Sequence, residues 1–152
     1  MKILLICTHN ACRSIIAEAV ANKISTPRII ARSAGSSPRG HVHPLTLKHL
    51  ARHGYDINNL KSQSWDEFEN FSPDVVITLC DQAAGETCPV YFGNCLKIHW
   101  GLNDPSKNSE NEVENFDNTI TILENRFRGL LEEEVETMDT SALNKLFEKV
   151  CQ

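Results

Sequence analysis

Lys2-Ile3-Leu4-Leu5-Ile6 runs directly into Cys7-Thr8-His9-Asn10-Ala11-Cys12-Arg13-Ser14, and the chain continues Ile15-Ile16-Ala17-Glu18-Ala19-Val20-Ala21. The opening residues form a short apolar run of the buried-strand kind. Ile16, Ala17, Val20, Ala21 and Ile24 then recur at helical spacing, which predicts a helix from Arg13 to Ile24. A loop that ends at a helix start turns several backbone N–H groups into one concavity, because the first four N–H groups of a helix lack internal partners. The positive end of the helix dipole stands behind them, so the concavity suits a tetrahedral oxyanion. Arg13 adds a planar fork for two anion oxygens. The dipoles that draw the anion also favour Cys7 as a thiolate nucleophile. Thr8, His9, Asn10, Ala11, Cys12, Arg13 and Ser14 are therefore the expected substrate-binding residues, with Asn10 and Ser14 bracing the loop and Ser33 supporting Asn10. By itself C-x5-R is a weak pattern, equally satisfied by a buried structural cysteine beside a surface arginine. Its place between an opening strand and an amphipathic helix gives it force.

Outward from this unit, Pro27 closes the helix and Ile29 to Ser33 reads as a second strand, ended by Ala34-Gly35-Ser36-Ser37-Pro38. Leu45, Leu47, Leu50 and Ala51 mark a helix from about Pro44 that stops at Gly54. Ser64 to Phe71 suggests a short helix, Asp74 to Leu79 a β-branched core strand, and Leu96 to Trp100 a fourth strand. Ser109 and Glu112 have capping-box spacing, and Phe116, Ile120, Leu123, Phe127, Leu130 and Leu131 trace one helical face through about Glu136. Asp139 or Thr140 caps a last helix ending near Val150. The predicted fold is α/β, a four-stranded parallel sheet flanked by helices on both faces, with an extra C-terminal helix. Residues 1–136 form the domain proper and 137–152 a helical extension of it.

With 152 residues, 41% of them hydrophobic and 23% charged, the chain suits one globular core and neither disorder nor a fibrous repeat. No apolar run is long enough to span a bilayer, and no signal-peptide core opens the chain, so a cytoplasmic location is expected. The net charge of −5 hides an asymmetry. Residues 1–60 carry eight Lys and Arg against Glu18 and Asp56, whereas residues 110–140 carry ten acids against Arg126 and Arg128. Either the first third faces an anion or both blocks are solvated helix faces. The basic residues are spread out without interleaved aromatics, which argues against nucleic acid.

Six cysteines, at 7, 12, 80, 88, 95 and 151, in a chain of this size without an export signal point to catalysis, redox exchange or metal rather than a disulfide frame. In an open parallel sheet ligands bind at the carboxyl ends of the strands. Cys7, Cys80 and Asp104 all follow predicted strand ends. Cys80, Cys88, Cys95 and His99 can be read as zinc ligands, but their gaps are looser than the short knuckles of structural zinc. No metal or cofactor is expected. Cys12 reads as loop packing, and Cys95 and Cys151 as bystanders.

Cys7 to Ala19, Ser33-Ala34-Gly35 and Asn103-Asp104-Pro105 resemble the low-molecular-weight tyrosine phosphatase superfamily. Within it, Thr78-Leu79-Cys80 with Cys88, and His99-Trp100-Gly101 before Asp104, resemble the arsenate reductases recycled by thioredoxin. The resemblance covers residues 1 to about 135. It departs at His9 and Ala11, and in the final helix; Gln63 falls near where relatives place an acidic residue of a potassium site, so that cation is not carried over. The resemblance implies that arsenate is the substrate, Cys7 the nucleophile and Asp104 the general acid. It implies that Cys80 attacks Cys7 and Cys88 then attacks Cys80 in a disulfide relay, recycled by thioredoxin or by glutathione with glutaredoxin. The segment between Cys80 and Cys88 must then move. A tyrosine phosphatase is the alternative enzyme, although Ser106-Lys107-Asn108 offers no ring to stack phosphotyrosine. A non-catalytic oxyanion sensor is the alternative from another class.

Overall fold

A computed structural model describes residues 1–152, the side chain of Tyr91 aside. Four parallel strands, β1 (Lys2–Ile6), β2 (Ile30–Ala34), β3 (Val75–Thr78) and β4 (Leu96–His99), lie in the order β2-β1-β3-β4. Because β1 is buried on both faces, its alternate side chains build two cores. Ile3 and Leu5 join the larger one, with Val75, Ile77 and Ile98 and the apolar faces of α1 (Arg13–Ser25), α2 (Pro44–Arg52) and α4 (Glu112–Leu131). Leu4 and Ile6 point the other way, into a smaller cluster with Val76, Ala34, Phe68, Phe92, Cys7 and Cys80. Short elements cover that second face: α3 (Asp81–Ala84) and the 3₁₀ turns Trp65–Phe68 and Val90–Phe92.

The chain order follows the sequence expectation, and four details differ. The expected helix over Ser64–Phe71 is the 3₁₀ turn alone, where Ser64 and Glu67 form a reciprocal capping box. The Ser109–Glu112 box does not form; Asn108 accepts from Glu110 N, and Glu112 starts α4 with its carboxylate bound to Lys48 and His49. α4 stops at Leu131, where Arg28 takes the Leu131 and Glu133 carbonyls at 2.9 and 2.6 Å. α3 carried no sequence signal, having one buried residue, Ala83.

The last helix, α5 (Thr140–Lys149), is capped by the Asp139 side chain, which accepts from Ala142 N at 2.8 Å. It packs on β4: Trp100 Nε1 donates to the Phe147 carbonyl at 3.0 Å, and the Trp100 ring lies 5.4 Å from Phe127 and 5.6 Å from Phe147. Trp100, Phe127 and Phe147 are fully buried. Among the described residues no helix is long and apolar enough to cross a membrane.

Candidate active site

β1 has a crossover to either side, to β2 and to β3, and the crevice at such a switch point opens at the strands' carboxyl ends. The loop Cys7–Cys12 fills it. Its carbonyls are engaged from outside: Ser37 N donates to Thr8 O, Arg39 N to His9 O and His43 N to Ala11 O, at 2.9 to 3.0 Å. Among the described residues no backbone N–H from Thr8 to Ser14 donates within the chain, which leaves those groups available to an anion. The end of β2 presses against the loop so closely that a Cβ on Gly35 would lie 2.6 Å from the Cys7 carbonyl oxygen. Only glycine fits there.

Asn10 holds the turn in a left-handed conformation, φ 45°. Its Nδ2 donates to Ser14 Oγ at 2.8 Å, and its Oδ1 accepts from Gln63 N at 2.8 Å. Ser14 Oγ also lies 2.9 Å from Cys7 Sγ, within reach to donate its proton to a Cys7 thiolate. Ser33 does not brace Asn10 as expected: Gln63 is the brace, with Gln63 Nε2 also donating to Ser33 O. Burial pushes the Glu18 carboxyl up from the ordinary range, against Ser33 and Arg32, which act to lower it. The His9 ring turns to Ser37 O, 3.2 Å from Nδ1. Cys12 lies at the helix start, where burial pushes its thiol up to about 12, so it stays protonated at neutral pH.

The cleft in front of the loop has a volume of about 270 Å³ and brings Cys7, Arg13, Cys80 and Asp104 together. Arg13 is anchored by Nη1 to Leu102 O at 3.0 Å, and its Nη2 lies 3.9 Å from Asp104 Oδ2. Burial works against the Asp104 charge, but Ser106 Oγ at 2.6 Å and Ser106 N at 2.9 Å both donate to Oδ1. Together with Arg13 and Lys107 they hold the carboxyl below its usual range. Arg39 and His43 also line the cleft. Sequence reading missed them as lining residues, because only the loop's carbonyl bonds draw their segment over the site. No Phe, Tyr or Trp lines the cleft among the described residues.

Cys80 follows β3 as Cys7 follows β1, and the register pairs Ile6 with Thr78. The two cysteines are therefore one residue out of step on adjacent strands. A strand spacing of about 4.8 Å and a rise of about 3.3 Å per residue put such positions roughly 5.8 Å apart, within the roughly 4.4 to 6.8 Å that a disulfide spans between Cα atoms. Cys80 Sγ lies 3.7 Å from Thr8 Oγ1 and accepts from Ala83 N at 3.4 Å. Cys88 is outside the cleft lining; it packs half-buried against the smaller core cluster that holds Cys7 and Cys80, as does Cys95. Burial, then the nearby Cys88, pushes the Cys95 thiol up. Among the described residues no group of three or more His, Cys, Asp or Glu is arranged to hold a metal.

The low molecular weight phosphotyrosine protein phosphatase family profile matches residues 2–142. The chain is 36% identical over 105 residues to an arsenate reductase of Halalkalibacterium halodurans, covering 69% of this chain and 74% of the relative. A thioredoxin-dependent arsenate reductase of Corynebacterium glutamicum superposes with a TM-score of 0.66 at 29% identity, over 86% of this chain and 60% of that one. A low molecular weight protein tyrosine phosphatase of T. tengcongensis, 22% identical, shares the fold with a TM-score of 0.72 over 87% of this chain and 98% of its own. With a profile match over nearly its whole length, on the sheet and loop just described, the chain belongs to the low molecular weight phosphotyrosine protein phosphatase family.

Proposed function

We propose that this protein reduces arsenate to arsenite with Cys7 as nucleophile and a relay through Cys80 and Cys88, recycled by thioredoxin in the cytoplasm. The observation that carries the reading is the clustering of these three thiols on one face of the sheet, beside an anion cleft that no aromatic side chain among the described residues lines. The loop amides and Arg13 hold the arsenate oxygens. Cys7 attacks arsenic, and the departing oxygen is protonated by Asp104. That carboxylate is ionised at rest and takes its proton from arsenate, which arrives partly protonated at neutral pH. A phosphatase would hydrolyse its cysteinyl intermediate with water. Here Cys80 attacks the Cys7 sulfur instead: the S–As bond pair stays on arsenic, arsenite leaves, and a Cys7–Cys80 disulfide remains. Cys88 then attacks Cys80, and the 80–88 disulfide passes to the external donor.

The test is arsenate-dependent NADPH consumption with thioredoxin and its reductase, on the wild type and on Cys80→Ser and Cys88→Ser. Both variants are expected to lose turnover and to keep some hydrolysis of an aryl phosphate. Equal arsenate turnover in all three would reject the relay, and recycling by glutathione with glutaredoxin alone would reassign the donor.

A further inference from the structure

One hydroxyl links the anion loop to the segment between the second and third cysteines. Thr8 Oγ1 donates to Glu86 Oε1 at 2.9 Å and lies 3.7 Å from Cys80 Sγ. A hydroxyl has one proton to give, whereas a carboxylate only accepts. Thr8 therefore gives its proton to Glu86, and its contact with Cys80 runs from the thiol to the Thr8 oxygen. The result is a continuous path from thiol to hydroxyl to carboxylate. Cys80 and Thr8 are buried at 6% and 5% exposure, so little of the sulfur meets the water of the cleft, while Glu86 at the far end is half-buried.

We infer that Glu86 accepts the Cys80 proton through Thr8, and that the loss of its charge loosens its hold on the 81–88 segment. The inference rests on the relay proposed above. As Cys80 attacks, the Cys7–Cys80 bond forms and the S–As bond breaks with its electron pair left on arsenic. The Cys80 proton passes to Thr8 Oγ1 while Thr8's own proton passes to Glu86 Oε1. A carboxylate is a weaker base than a thiolate, so the transfer proceeds only as the sulfur lone pair is committed to the new bond. Neutral Glu86 then has no charge assistance in its bond to Thr8, which roughly halves such a bond's strength. The segment's remaining anchors are slight: Ala83 is the buried side chain of α3, and Asp81 meets the exposed His99 at 3.2 Å. Proton transfer in the first disulfide step thus frees the stretch of chain that must carry Cys88 to Cys80.

The titratable and charged groups around Glu86 are Lys97 and His99 of β4, which share its surface hollow, and Asp81 on its own segment, paired with His99; Cys7 lies beyond Cys80. Glu86→Gln keeps an oxygen for Thr8 but cannot take a proton. In a Cys88→Ser background, closure of the Cys7–Cys80 disulfide after arsenate addition is expected to slow about tenfold near pH 7. The deficit is expected to close near pH 9, where hydroxide removes the proton directly. Amide exchange over 81–88 in the reduced protein is expected to quicken, opposite in direction to the chemistry. Thr8→Val should reproduce the slow closure, and adding Glu86→Gln to it should slow closure no further, while His99→Asn should retain the wild-type pH dependence. Hydrogen peroxide supplies an arm that needs no arsenate: it oxidises Cys7 to the sulfenic acid, and Cys80 closes the same disulfide with release of water. This arm decides the role of Glu86 whether or not arsenate is the substrate. Closure at the wild-type rate in Glu86→Gln, a deficit undiminished near pH 9, or a His99→Asn profile matching that of Glu86→Gln would overturn the inference.

Discussion

Asp104 illustrates how a single hydroxyl sets the working form of a side chain. Burial alone would favour its neutral form, yet two donors from Ser106 hold it ionised. Ser106→Ala removes the hydroxyl donor at 2.6 Å and leaves the backbone one, so the Asp104 carboxyl moves up. Because Asp104 works from its ionised form, the acid limb of a pH–rate profile of arsenate turnover, where Asp104 becomes protonated, is expected to shift to higher pH in Ser106→Ala. A carboxyl held below its ordinary 3.8 in the folded chain stabilises above that value, and the contribution is lost as the pH falls through the lowered value. Ser106→Ala should therefore flatten the acid limb of the melting profile. The loop, with Cys7 at its start and Arg13 at its end, was legible in the sequence because its arrangement is local: seven consecutive residues after Cys7 at a strand–helix junction. Ser106 and Gln63 were not, since their roles depend on contacts with distant residues or on a turn whose direction no periodicity encodes.

At the scale of elements, the structure divides the cysteines between stiff and yielding parts of the chain. Cys7 and Cys80 sit at the ends of adjacent strands, while Cys88 follows α3, a helix of four residues with one buried side chain. Opening such a segment exposes little apolar surface, so its local unfolding free energy lies at the low end of the molecule's range. Oxidation to the 80–88 disulfide is expected to raise amide exchange across residues 81–88 relative to the reduced form and to leave β1, β3 and α1 protected; unchanged protection throughout would count against the relay. α3 escaped the sequence reading because Asp81-Gln82-Ala83-Ala84 is too short to display a helical period, and its composition equally suits a loop. The strands and long helices were readable for the converse reason. Each buries a regular stripe, as Phe116, Ile120, Leu123 and Phe127 do along α4.

Across the whole molecule, the basic first third and the acidic stretch after residue 110 largely answer each other. Lys48 and His49 of α2 meet Glu112, Arg52 and His53 meet Asp117, and Arg28 meets Glu136, while Arg13 and Arg39 line the cleft. The charge blocks were visible in the sequence, but their pairing required the packing of α2 on α4. The C-terminal helix is bound to the fold through Trp100, Phe127 and Phe147, and Phe147→Ala is expected to cost about 3 to 5 kcal/mol in denaturant unfolding. A loss below about 1 kcal/mol would mean that residues 137–152 are dispensable to the core. The one-residue stagger between the ends of β1 and β3 has a thermal consequence. In the proposed relay the first cross-link joins two adjacent strand ends, whereas the second would have to break up α3. A chain arrested after the first, by Cys88→Ser, should melt no lower than its reduced parent, while the fully relayed chain melts earlier and over a broader range. Calorimetry would then separate the two oxidised species without any label on sulfur.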